Sequence, residues 1–230
     1  MTTPSLLHSL KADAPLLSVG ALAANLLALG ADIARLEESE ARLLHFDVMD
    51  GCFVPMLTAG PPLIKAITTS LLKDVHLVVA EPLEKLGDYI AAGADLITVH
   101  VESSRHIHRV LQTLSGMRHA HDPERGILRG VAINPGTPLE MLPPLLDLVD
   151  FIELLGINPG WGGQQFVPST FDRAARVRQM IAAYGREILL MVDGGITKRN
   201  FADIAAIGAD IVVTGSAVFE GNDPAGNDKR

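Results

Sequence analysis

Eight short apolar runs, spaced along the chain and separated by segments of helical character, constrain this sequence more than any other feature of it. They lie roughly at Leu17 to Leu22, Leu43 to Val48, Val75 to Val79, Leu96 to Val101, Leu128 to Ile133, Phe151 to Ile157, Ile188 to Val192 and Ile211 to Thr214. Runs rich in Val, Ile and Leu suit strands covered on both faces, as a parallel sheet requires. The intervening segments predict helices at Gly60 to Leu72, Pro82 to Ala92, Arg105 to Met117, Leu139 to Leu146, Ser169 to Ala183 and Lys198 to Ala206. A small phrase recurs: Gly30-Ala31-Asp32, Gly93-Ala94-Asp95 and Gly208-Ala209-Asp210 each follow an Ala- or Leu-rich stretch, and the glycine reads as a helix stop. Eight strand and helix units of about 25 to 30 residues make an α/β protein of the (β/α)₈ TIM-barrel class. An open doubly wound sheet is the competitor, but a dinucleotide-binding one needs a glycine fingerprint after its first strand, where this chain has SVGALAAN.

A chain of 230 residues is expected to form one such domain over 1–230, with 220–230 a polar tail. The eighth helix then looks truncated or missing, which would expose apolar surface where a second copy of the chain could pack as a homo-oligomer. The net charge of -8 and the lack of a Lys/Arg cluster argue against nucleic acid and acidic membranes as partners. Cys52 is the only cysteine, so no internal disulfide can form. No apolar stretch approaches a membrane span, and Lys11 and Asp13 interrupt the place of a signal peptide, so the cytoplasm is the expected compartment. The segment Arg118 to Arg129 reads as a solvated loop with His119 and His121 at its surface.

In a TIM barrel the chemistry sits at the C-terminal ends of the strands. Asp47 lies near the end of the second strand, His76 in the third, and Asp193 closes the seventh; His45 shares the face of Asp47 because strand side chains alternate with period two. Two imidazoles and two carboxylates suit one divalent cation such as Zn²⁺, Fe²⁺, Mn²⁺ or Co²⁺. Glycine loops follow the last three strands: Gly160-Trp161-Gly162-Gly163, Gly194-Gly195, and Gly215-Ser216. Backbone N–H groups in such loops can close on phosphate oxygens, and neutral donors suit an acidic protein.

The ordered motifs HFDVMDG…FVP, DVHL, NPGTP, NPGWGGQ, VDGG and GSAVF resemble the ribulose-phosphate 3-epimerase family from about Ala21 to Phe219. The resemblance implies a (β/α)₈ barrel with one divalent metal and no organic cofactor, acting in the pentose phosphate pathway of carbohydrate metabolism. It implies an isomerase that interconverts D-ribulose 5-phosphate and D-xylulose 5-phosphate. By the same resemblance His45, Asp47, His76 and Asp193 match the metal ligands, and Asp47 and Asp193 the acid/base pair. His76, Gly160, Trp161, Gly162, Gly163, Gly194, Gly195, Gly215 and Ser216 match the substrate and phosphate site, and Met49 a polarizable residue lining the pocket. Ala23, Ala24 and Asn25 replace the Ser-Ala-Asp of the family, which removes a hydroxyl contact and leaves room for a different ketose phosphate, or for a sugar-phosphate-binding paralogue with little turnover. Val78 and Leu155 stand where the family often has methionines. The His/Asp set alone also admits a metal-dependent hydrolase, but that reading lacks an HxH pair after the first strand and gives the glycine loops no purpose.

Overall fold

In the computed structural model, which describes residues 5–219, eight parallel strands close on themselves. They are β1 (Leu16–Gly20), β2 (Leu43–Met49), β3 (Leu72–Val78), β4 (Leu96–His100), β5 (Leu128–Ile133), β6 (Phe151–Leu155), β7 (Leu189–Asp193) and β8 (Ile211–Thr214). Neighbours follow chain order, and β8 returns to β1 with Leu16 opposite Ile211. The expected TIM barrel is therefore present.

Helices α1 (Leu6–Asp13), α2 (Leu29–Glu37), α3 (Pro61–Ala66), α4 (Leu86–Ala91), α5 (Ile107–Ser115), α6 (Ser169–Tyr184), α7 (Phe201–Ala205) and α8 (Ser216–Phe219) complete the described chain. Several depart from the sequence expectation. The run Gly60 to Leu72 yields only the short α3, and Leu72 already opens β3. Leu139 to Leu146 forms two 3₁₀ turns, because Pro143 and Pro144 have no N–H to give an α-helical ladder. Gly30 lies inside α2 rather than after a helix, whereas Gly93 and Gly208 have φ of +89° and +68° and do end helical segments. The stretch read as a loop holds a hairpin of Arg118–His119 and Asp122–Gly126, and His119 is buried with Nε2 3.5 Å from Asp95. The expected polar tail at 220–230 lies outside the described residues, and so does any continuation of α8.

The aspartates of the recurring phrase have a structural task. Lys73 N–H donates to Asp95 Oδ2 (2.7 Å) while Asp95 N–H donates to the Lys73 carbonyl (2.9 Å). The same reciprocal clasp joins Asp210 to Leu190 and Asp150 to Arg129. Each aspartate thus extends the ladder one bond beyond the start of its strand, at β3/β4, β5/β6 and β7/β8. Ahead of β2 the corresponding place is held by Arg42, which has no such bond.

Two cores result. The larger lies between strands and helices and includes Phe46, Val75, Ile97, Leu111, Ile152, Leu190 and Ile204. The smaller fills the lower barrel with Leu16, Leu43, Leu96, Leu128, Phe151, Leu189, Met191 and Ile211, and α1 closes it from beneath with Leu10. Gly130 makes room for this plug, since a Cβ there would stand 2.3 Å from the Phe151 ring. The upper interior carries polar side chains.

Candidate active site

The register explains why distant residues meet. Asp47 pairs with His76, His76 with Thr98, and Leu155 with Asp193, so alternate residues of neighbouring strands enter the barrel at matching heights. Asp47, Met49, His76 and Asp193 line one cavity of about 540 Å³, together with Gly160 to Gly163, Gly194, Gly195, Gly215 and Ser216. His45 is fully buried just behind this wall.

Asp47 Oδ1 lies 3.3 Å from His45 Nε2 and 3.1 Å from His76 Nδ1, and Asp193 Oδ2 lies 3.9 Å from the same His76 nitrogen. Partners behind each imidazole fix which nitrogen faces the site. Asp74 Oδ2 is 2.8 Å from His45 Nδ1 and also accepts from Ser18 Oγ at 2.7 Å, which leaves His45 Nε2 aimed at Asp47. Glu102 Oε2 lies 3.2 Å from His100 Nδ1, and His100 Nε2 lies 2.8 Å from His76 Nε2. With His100 Nδ1–H donating to the Glu102 carboxylate, His100 Nε2 accepts from His76 Nε2–H, and His76 Nδ1 is left with a lone pair. In these neutral tautomers each imidazole turns a lone pair toward the site, as a ligand of a cation does; without a cation the same nitrogens, when protonated, donate to Asp47. The donor set fits a divalent cation, and ligand atoms of His45, His76, Glu153 and Asp193 all lie within 4.8 Å of one another.

The two aspartates are driven in opposite directions. Burial acts to raise Asp47, but His45, with hydrogen bonds from both imidazoles, overrides it and holds this carboxyl well below the usual range. Burial, reinforced by the Asp47 charge, pushes Asp193 up to about 7. Burial also opposes charging of His45, yet Asp74 and Asp47 raise its pKa well above the ordinary value. His76 falls to about 4, chiefly through burial.

The phosphate-side loops have the backbone freedom that close approach requires. Gly194 and Gly195 take φ of +91° and +73°, and a Cβ on Gly194 would meet Ile157 at 2.4 Å. No Lys or Arg lines this cavity, although Lys198 and Arg199 line an adjoining one that shares Ala23, Thr197 and Ser216 with it. Trp161 is half-exposed at the rim.

Sequence reasoning missed Glu153, Asp74, Ser18, His100 and Glu102. Inward parity was the available signal for most of them: Glu153 is a charge in the apolar run FIELL, and His100 ends LITVH. Asp50, read as a turn residue, does more than turn the chain. It accepts from Cys52 N–H, Phe53 N–H, Ala80 N–H and Lys85 Nζ at 2.9 to 3.0 Å, tying the loop after β2 to the end of β3.

The model of the ribulose-phosphate 3-epimerase family matches residues 16–219, nearly all of the barrel. The chain belongs to this family. A ribulose-phosphate 3-epimerase of Escherichia coli K12 is 41% identical over 209 residues, covering 89% of this chain and 89% of that protein. A chloroplastic ribulose-5-phosphate-3-epimerase of Arabidopsis thaliana is 38% identical over 214 residues, 91% of this chain and 73% of its own. Among solved structures, KGPDC from Streptococcus mutans superposes with a TM-score of 0.65 at 15% identity, over 94% of this chain and 95% of that one, which speaks for the barrel alone. Among the described residues no helix is long and apolar enough to cross a membrane.

Proposed function

We propose that this epimerase-family chain inverts C3 of a ketose phosphate, converting D-ribulose 5-phosphate to D-xylulose 5-phosphate, with Asp47 and Asp193 as the proton-transfer pair. The observation that carries the reading is the placement of two carboxylates on strands three steps apart around the barrel, in one cavity with glycine loops at its rim. Inversion beside a ketone requires a proton to leave one face and another to arrive on the other. Asp47 and Asp193 face the same cavity from β2 and β7, so that one carboxylate can take the C3 proton while the other, protonated, delivers one. In the reverse reaction the roles exchange.

His45, Asp47, His76 and Asp193 would hold a divalent cation, Zn²⁺, Fe²⁺, Mn²⁺ or Co²⁺, and no organic cofactor is required. When bound, the cation supplies Lewis acidity that stabilises negative charge on the ene-diolate. The chain's own residues do the rest. Asp74 and the Glu102–His100 pair hold the imidazoles in position, the apolar plug excludes water from below, and Met49 and Leu155 give the cavity an apolar wall. Backbone N–H groups at Gly160 to Gly163, Gly194, Gly195, Gly215 and Ser216 would receive the phosphate, with the charges of Lys198 and Arg199 near by.

Ala23 favours one variant of this reading. It lines the cavity with a methyl group, so a neighbouring ketose phosphate without need of a hydroxyl there is the alternative substrate. The cytoplasm, one barrel domain and a homo-oligomer complete the proposal; exposed Leu26, Leu27 and Leu57 support association of copies. The test is incubation of metal-loaded enzyme with ribulose 5-phosphate in D₂O. Deuterium at C3 with xylulose 5-phosphate as product is expected; retained binding without exchange would end the epimerase assignment, and cleavage without exchange would indicate a hydrolase.

A further inference from the structure

Glu153 is fully buried in the middle of β6, enters the barrel at the height of Ala132 and Met191, and has no hydrogen-bond partner for either carboxyl oxygen. Its Oε1 stands 3.0 Å from His76 Nδ1, the nitrogen that Asp47 and Asp193 also face. Thr98 Oγ1, on β4, is likewise buried and is the hydroxyl that faces the Glu153 carboxyl, without good hydrogen-bond geometry. A buried carboxyl so poorly supplied with donors is expensive to maintain, and an apolar residue would fit the surrounding run FIELL better. A cation within reach of both its oxygen and the His76 nitrogen removes that cost.

We propose that Glu153 is an additional ligand of the site's cation, approaching from inside the barrel, and that it shifts the preference of the site toward cations that favour oxygen donors, Mn²⁺ over Zn²⁺. The proposal rests on the metal-site reading above and deepens it. His45, His76, Glu153 and Asp193 supply the four ligand atoms within 4.8 Å of one another, and Asp47 Oδ1, 3.3 and 3.1 Å from the two imidazoles, would be a fifth donor, more than a tetrahedral ion accommodates. Carboxylate-rich, higher-coordinate sites suit Mn²⁺, whereas imidazole with four ligands suits Zn²⁺. A third carboxylate also leaves the loaded site with net negative charge, which holds the cation from below while the upper side stays open to substrate.

The experiment uses the full chain stripped with a chelator, then titrated separately with Mn²⁺, Zn²⁺ and Co²⁺ by calorimetry, for the unchanged protein and for Glu153→Gln and Glu153→Leu. The two replacements cover both an isosteric amide and an apolar side chain, so loss of folding in one leaves the other to report. We expect one cation per chain throughout, Mn²⁺ affinity at least about 10-fold weaker in both variants, and a smaller loss for Zn²⁺. The visible spectrum of the Co²⁺ form should intensify in Glu153→Leu as its coordination number falls. Melting temperature without metal should rise in Glu153→Leu, because an unpartnered buried carboxyl has gone. An unchanged Mn²⁺/Zn²⁺ affinity ratio with an unchanged Co²⁺ spectrum would overturn the role of Glu153 while leaving the metal site intact. Failure of the unchanged protein to bind any of the three cations would instead overturn the site itself.

Discussion

Along β2, β4, β6 and β7 the first inward positions are Leu43, Leu96, Phe151 and Leu189; two or four residues further on, the same strands present His45, Asp47, Thr98, His100, Glu153 and Asp193. One scaffold, with one period, therefore carries an apolar plug below and an ionisable cluster above. The lower half buries its side chains without polar cost and gains stability from packing density. The upper half buries groups that oppose each other's charge, Asp47 against Asp193 and Glu153 against Asp193 and Asp74, and stability there is given up for chemistry. Rigidity in one half allows strain in the other.

Four substitutions would break or sharpen that contrast. Asp193→Asn should have the largest effect, lowering turnover by about 10² to 10⁴-fold while the melting temperature stays near that of the unchanged protein; steady-state kinetics beside calorimetry checks it. Equal activity would remove Asp193 from the proton transfer. Phe151→Ala, at the centre of the plug, should cost about 3 to 5 kcal/mol in urea unfolding. Its kcat, measured where the variant is still folded, should change far less. Gly130→Ala presses a methyl group into Phe151 and Thr98 and should destabilise by about 1 to 3 kcal/mol, because the nearest atoms belong to a ring with no space to move. Ala23→Ser restores a hydroxyl on the cavity wall, where one hydrogen bond is worth about 0.5 to 1.5 kcal/mol, and should lower KM for ribulose 5-phosphate up to about 10-fold. A KM that does not fall would favour a different ketose phosphate.

The sequence made the strands legible because parallel strands buried on both faces leave continuous apolar runs, as at LITVH and IVVT. Short helices were harder. The α3 segment looked twice its length because apolar residues continue from the helix through a loop into β3, and periodicity cannot mark where one ends. Nothing in LLHSLKAD announced that α1 would cap the barrel floor, since that depends on the width of the opening beneath Leu43 and Leu96. In the site, His45, Asp47, His76 and Asp193 stood within recognisable motifs; Asp47, His76 and Asp193 line one cavity, and the cluster of mutually close ligand atoms takes in His45, His76 and Asp193 with Glu153 rather than Asp47. Glu153 was hidden because a single charge in FIELL carries no motif. Parity with Phe151 hints that it points inward, and the register, with Ala132 on one side and Met191 on the other, sets the height at which it enters the barrel.

The reciprocal aspartate clasps divide the barrel floor unevenly. Strands β3 to β8 are buttoned in pairs by Asp95, Asp150 and Asp210, while β1 and β2 meet at the floor without an equivalent fastening. Four other contacts, β2/β3, β4/β5, β6/β7 and β8/β1, also lack a clasp, but β1/β2 has the shortest register of these, Ser18 to Gly20 against Leu43 to His45; the seam of the cylinder is there, and amide hydrogen exchange should proceed fastest along Leu43 and Leu44 among the barrel's buried amides. A closed ring of strands has no edge, but this one has a place where it would first come undone.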